Sequence, residues 1–193
     1  MTWYAVDGMD GSGKTTSSDL IRERLEARGR KVLEITHPNE SCIFGRLASK
    51  ALCMRGKFAE KLSTLLYIID VLHSLDVKRW RGKGYDDVIF VRYSMAAAYL
   101  PESLCVKAYE IIEKILPVPD VKVFVDIEPK VAMERILARG EELELFETEE
   151  KLEATRRKMH SIAGSWHVID NSGTLENTVA QTEAFLDSLW GEE

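Results

Sequence analysis

The stretch Gly8-Met9-Asp10-Gly11-Ser12-Gly13-Lys14-Thr15 meets the pattern G-x-x-x-x-G-K-S/T at every fixed position, and it constrains the fold more than any other feature of the chain. An apolar run, Trp3-Tyr4-Ala5-Val6, leads into it, and Thr15 to Ala27 leaves it with a helical pattern, so the order is strand, loop, helix. Glycines at these places let backbone N–H groups curl round an anion, at the partially positive start of a helix. Lys14 is expected to reach the β- and γ-phosphates of a nucleotide, and the Thr15 hydroxyl to ligate Mg²⁺. The expected grip comprises Gly8, Met9, Asp10, Gly11, Ser12, Gly13, Lys14, Thr15 and Thr16.

A chain of 193 residues, 45% hydrophobic, can bury one sizeable core, which predicts one domain with insertions. The formal charge of -6 leaves little to attract a nucleic-acid backbone. The one compact basic run, Lys78-Arg79-Trp80-Arg81-Gly82-Lys83, suits the negative end of a helix. Three cysteines, Cys42, Cys53 and Cys105, lack C-x-x-C spacing and read as idle thiols of a reducing compartment. No apolar stretch approaches the ~18 residues of a membrane span, and the first strand starts near Met1 with no room for a leader. These features predict a soluble cytoplasmic protein with no nucleic-acid or membrane partner.

Further along, Lys31 to Thr36 reads as a short strand ending at His37-Pro38. Helical segments are predicted from about Ser41 to Met54 and from Phe58 to about Trp80, the second with Leu62, Leu65, Leu66, Ile69 and Leu72 on one face. Asp87 to Val91 is a near-continuous apolar run, as in a strand buried on both faces of a parallel sheet. Val121 to Asp126 and Trp166 to Asp170 complete five strands. A helix should start at Pro129 and run to Arg139, and a last one should cover Leu175 to Trp190, with Leu175, Val179, Leu186 and Leu189 facing inward. Strands alternating with helices predict a doubly wound α/β fold with crevices at the strand C-terminal ends.

Residues 140–150 interrupt the helical pattern and carry six glutamates, which predicts an exposed lid. Arg135 and Arg139 precede it on one helix face, and Arg156 and Arg157 follow. Arginines on a closing flap can neutralise charge on a transferred phosphoryl group. Arg139, beside the break, is the candidate for that task; Arg156 and Arg157 read as surface arginines paired with nearby glutamates.

Several of these stretches together resemble the thymidylate kinase family of P-loop nucleoside monophosphate kinases, nearly end to end. Val6 to Thr16 is similar to the family's first strand and loop, and the resemblance implies that Asp10 contacts the acceptor sugar. Arg92-Tyr93 is similar to the end of the family's Asp-Arg-Tyr/His signature, which makes Arg92 the grip on the acceptor phosphate. Val125 to Ile136, with Ala138 to Glu141, resembles the fourth strand and the helix before the lid, and Val168 to Ser172 the last strand. The resemblance implies a P-loop kinase whose five-stranded parallel sheet, in order 2-3-1-4-5, is flanked by helices and has a short lid at about 140–150 within a single domain, 1–193. It also implies ATP with Mg²⁺ as donor, a small-molecule nucleotide as acceptor, dTMP first among them, and pairing into a homodimer.

Departures from the family pattern fall on the acceptor side. Val91 stands where the signature has Asp, and Val71 where an arginine serves the acceptor phosphate, four residues after the aromatic Tyr67 that would stack on the base. Asp70 lies in the same segment and is included in the implied acceptor set. Thr36-His37-Pro38-Asn39-Glu40 replaces an arginine-containing turn, leaving His37 as the expected second basic contact, and the lid reads Glu144-Leu145-Phe146-Glu147 with Leu145 in an arginine's place. Each charge-assisted phosphate contact is worth ~1.5–3 kcal/mol, so two unreplaced losses would weaken acceptor binding by roughly a hundred- to ten-thousand-fold. The reading is therefore a monophosphate kinase with an atypical acceptor site; the other readings are a regulatory or non-catalytic ATP-binding homologue and a kinase for a different monophosphate. Asp7 and Asp126, at strand ends, could hold the metal through water or merely face solvent.

Overall fold

Five all-parallel strands in the order β2-β3-β1-β4-β5 form the sheet of the computed structural model, which describes residues 1–54, 56–140, 143–144 and 146–191. The strands are β1 (Thr2–Asp7), β2 (Val32–Thr36), β3 (Asp87–Val91), β4 (Val121–Asp126) and β5 (His167–Asp170). The helices are α1 (Lys14–Ala27), α2 (Ile43–Leu52), α3 (Lys57–Arg81), α4 (Glu102–Ile115), α5 (Pro129–Ala138), α6 (Glu149–Ile162) and α7 (Leu175–Trp190). The strand order is the one that the family resemblance implies.

The central strands are apolar throughout because helices cover both faces. Alternation sends Tyr4, Val6, Ile89, Val91, Val123 and Val125 to one face, where Ile21 and Leu25 of α1 and Phe185 and Leu186 of α7 meet them. Trp3, Ala5, Val88, Phe90 and Phe124 go to the other face, against Met95, Cys105, Leu152 and Met159. Val6 pairs with Val91 on one side and with Val123 on the other, so the C-terminal ends of β1, β3 and β4 lie side by side. Asp7 locks that end. Its carboxylate accepts the N–H of Gly8 (3.0 Å), of Tyr93 (2.8 Å) and of Met95 (3.1 Å), tying β1 to the segment after β3.

The structure adds one helix, orients the apolar stripe of another and changes the inward face of a third. Helix α4 was not resolved from the sequence, although Pro101 marks its start and Cys105 packs inward. Of the apolar stripe on α3, Leu65 and Leu72 are about half exposed, with Ile68 beside them, whereas Leu62, Leu66 and Ile69 are half-buried; Ser63, Asp70, Val71 and Ser74 are buried. On α7, Leu175 is exposed, and Thr178 and Thr182 take the inward places by bonding to Asn171 Oδ1 (2.6 Å) and to the Thr178 carbonyl (2.8 Å). In α7, hydroxyls with internal partners occupy buried positions that a hydropathy pattern assigns to leucine.

Candidate active site

The loop from β1 into α1 is set by two left-handed glycines. Gly11 has φ 74° and Gly13 φ 86°; a Cβ would stand 2.7 Å from the Ala132 carbonyl oxygen at the first and 2.3 Å from Asn171 Nδ2 at the second. Asn171, just after β5, donates to the Ser12 carbonyl (2.7 Å) and so braces the loop from across the sheet. Gly8 opens the turn on Asp7, and the Met9 carbonyl accepts the Ser12 N–H (3.2 Å). Lys14 is buried, with Nζ donating to the Met9 carbonyl (2.6 Å) and 3.8 Å from Asp10 Oδ1. Burial and the Arg92 charge bring its pKa down to about 7, against the pull of Asp10, Asp7 and Glu144. An anion in the loop would restore the ammonium.

These residues fit a polyphosphate. The Ser12 hydroxyl is buried with no hydrogen-bond partner among the described residues, and Thr15 and Thr16 open to solvent on the first turn of α1. Among the described residues no cluster of three His, Cys, Asp or Glu could hold a metal alone, so a cation here would rest on Thr15 and phosphate oxygens. The two strand-end carboxylates are already engaged. Asp7 is closed in by backbone N–H groups, and Asp126 takes both Arg156 Nε and Nη2 (2.9 Å each) and His160 Nε2 (3.0 Å).

Beside the loop lies a cleft lined by Asp10, Tyr67, Arg92, Tyr99, Glu144 and Phe146. Arg92 has φ 65°, a left-handed conformation that costs a non-glycine residue about 1–2 kcal/mol. Its guanidinium pairs with Asp10 and donates from Nη1 to the His37 carbonyl (3.3 Å). Burial pushes the Asp10 carboxyl up, but Arg92 and Lys14 outweigh it and hold the pKa at about 2. The Tyr99 hydroxyl donates to Asp10 Oδ2 (3.0 Å), and its ring meets Phe146 edge-on at 4.9 Å. Tyr67 donates to the Tyr93 carbonyl (3.2 Å) and lines the cleft.

Two sequence-predicted acceptor contacts change role. His37 is fully buried, and burial pushes its pKa down, so it is a neutral ring and not the second basic contact. Asp70, also fully buried, accepts the Asn39 N–H (2.7 Å) and the Cys42 thiol (3.1 Å), so its carboxylate holds the turn into α2 and does not line the cleft. Arg139, just past α5, pairs with the buried Glu147, which also accepts the Glu144 N–H (2.8 Å). Leu145, Glu141 and Glu142, part of the expected lid, lie outside the described residues.

The sequence reading passed over Arg135 and Asn171. Arg135 donates to the Asn171 carbonyl (3.0 Å), with Nη1 3.7 Å from where a Gly13 Cβ would stand, so it is the α5 arginine beside the phosphate loop. Its signal was the four-residue spacing to Arg139. Tyr99 and Glu144 also went unassigned, because the first depends on the turn over Ser94–Tyr99 and the second on how the lid folds back.

Comparison with known proteins bears on the whole site. The family model for thymidylate kinase matches residues 6–182. A probable thymidylate kinase of Archaeoglobus fulgidus is 29% identical over 189 residues, covering 96% of this chain and 94% of the relative. A putative thymidylate kinase of Aeropyrum pernix is 31% identical over 159 residues, 81% of this chain and 76% of that one. The solved thymidylate kinase of Candida albicans shares the fold, with a TM-score of 0.75 at 18% identity over 100% of this chain and 93% of its own. The family match starts in β1, ends in α7 and takes in every residue of the loop and the cleft, so this chain belongs to the thymidylate kinase family.

Proposed function

We propose that the protein transfers the γ-phosphoryl group of ATP to thymidylate. The observation that carries this reading is the pairing of Arg92 with Asp10 of the phosphate loop, on a cleft that both residues line. ATP with Mg²⁺ supplies the phosphoryl group. Lys14 and the loop N–H groups hold its β- and γ-phosphates, and Thr15 carries the metal. Arg92 grips the acceptor phosphate, Asp10 orients the acceptor sugar, and the Tyr67 ring lies against the base. Arg139 neutralises the transferred group once it exchanges Glu147 for phosphate, with residues 140–150 acting as the lid of a single kinase domain.

The acceptor site is atypical in this reading. Val91 and Val71 are core residues, with 1% and 4% exposure, so neither offers a polar contact. The loss at Val91 is compatible with turnover because a phosphate acceptor is already ionised and needs no base; the chemistry is positioning and charge neutralisation. The outward stripe of Leu65, Ile68 and Leu72 on α3 supports pairing into a homodimer, which light scattering would read as twice the chain mass.

The test is ADP release from ATP and Mg²⁺ with dTMP, dUMP, UMP, CMP, AMP and GMP singly, against a blank without acceptor. The strongest signal is expected with dTMP. ATP binding without acceptor-dependent release in any arm would overturn the reading in favour of a nucleotide-binding homologue.

A further inference from the structure

Arg92 is the residue other than glycine that carries a positive φ among the described residues, and a backbone held there needs partners that leave it no alternative. One residue supplies three of them. His37, at the end of β2, donates its N–H to the Val91 carbonyl (2.9 Å), accepts Arg92 Nη1 on its own carbonyl (3.3 Å), and brings Nδ1 to 2.7 Å from the Arg92 carbonyl oxygen. A carbonyl only accepts, so Nδ1 carries the proton and Nε2 is the bare nitrogen, which is buried without a partner among the described residues. The ring is wedged edge-on against Phe90 at 5.2 Å and Tyr67 at 6.2 Å, which fixes the direction of the Nδ1–H.

We propose that His37 is a positioning residue for Arg92: its Nδ1–H bond to the Arg92 carbonyl, with its own carbonyl on the guanidinium, holds the arginine in the left-handed conformation that aims it into the acceptor cleft. Where a second basic side chain was expected at the end of β2, this chain has a residue that sharpens the first. The inference rests on the reading of Arg92 as the acceptor grip. It also gives the unpaired Nε2 a reason: the tautomer is set by Nδ1, and the ring pays for that bond with a buried lone pair.

The geometry separates this role from core filling. Asparagine places an amide N–H near the position of Nδ1, whereas glutamine places it near Nε2. His37→Gln should raise the acceptor KM about tenfold while leaving the ATP KM and kcat within about twofold, and His37→Asn should recover most of the loss. Arg92→Ala is the control: it must raise the acceptor KM, and His37→Gln added to it should change the KM no further. An unchanged acceptor KM in Arg92→Ala would remove the acceptor reading and this inference together. An effect of Arg92→Ala with none from His37→Gln, additive effects of the two, or equal rises in both KM values would remove this inference alone. If His37→Gln does not fold, ¹⁵N spectra of the unaltered protein decide the matter. The His37 ring is expected as the neutral Nδ1–H tautomer at neutral pH, and an Nε2–H tautomer there would overturn the proposal.

Discussion

Arg92 rises from the end of a buried strand and Arg139 from the end of α5 at the start of the lid; each guanidinium pairs with a buried carboxylate, but the backbones behind them differ. Arg92 is fixed through its backbone: a left-handed φ, a carbonyl bonded to the His37 ring, and Asp10 and the His37 carbonyl on its head. Arg139 sits on an ordinary helix end, its side chain 44% exposed, and pairs with Glu147 of the lid. An arginine held through its backbone arrives oriented for a ligand. One held by a carboxylate on a movable segment can exchange that carboxylate for a phosphate oxygen. On the proposed function, the contrast would separate a grip that precedes binding from a contact made as the lid closes.

Lys14 belongs with Arg92 on the fixed side, and its loss should be the largest. Lys14→Ala is expected to lower kcat/KM by about a thousandfold or more, with an unchanged melting temperature, in the ADP-release assay. Retained turnover would remove the phosphate loop from the mechanism. Arg139→Ala comes next, lowering kcat by about a hundredfold with the acceptor KM within about threefold, because its contact forms as the lid closes. Arg92→Ala should show the reverse split, an acceptor KM raised by about ten- to a hundredfold with the smaller change in kcat. If both arginine variants changed KM alone, the contrast between fixed and exchangeable arginines would be wrong.

Legibility follows the same division. The phosphate loop could be read because each of its fixed positions answers to one local demand of chain geometry or charge, and the strands because burial on both faces leaves an unbroken apolar run. The sheet order came through the family resemblance, since the residues of one strand do not say which neighbour it takes. The direction of Leu65 and Leu72 could not be read because an apolar stripe looks the same whether it faces a core or an outer surface. His37 looked like a basic contact, and only the meeting of two strand ends 55 residues apart in the chain makes it a neutral donor. Asp70 shows the same limit, because the chemistry of a carboxylate is legible and what it binds is not.

The smallest effect is expected from a third arginine, whose partner lies on β4. Arg156 clasps Asp126 with two bonds of 2.9 Å, reaches Glu128 at 2.9 Å, and shares Asp126 with His160. Burial pushes the Asp126 carboxyl up, but the Arg156 bonds and the His160 charge outweigh it and hold the pKa below the ordinary carboxylate value. A lowered folded pKa means that this carboxylate adds stability above its unfolded value, about 3.9, and that the contribution fades as pH falls through the folded pKa. Arg156→Ala should therefore cost about 1–2 kcal/mol near pH 7, a fall of a few degrees in Tm, with the difference from the unaltered protein closing as the pH is taken down towards 3. Turnover should be unchanged, because Asp126 and Arg156 satisfy each other away from the residues that line the cleft. A loss of kcat with an unaltered Tm would move this pair from the scaffold into the site, and Arg156 would then join Arg139 among the arginines that exchange a carboxylate for phosphate.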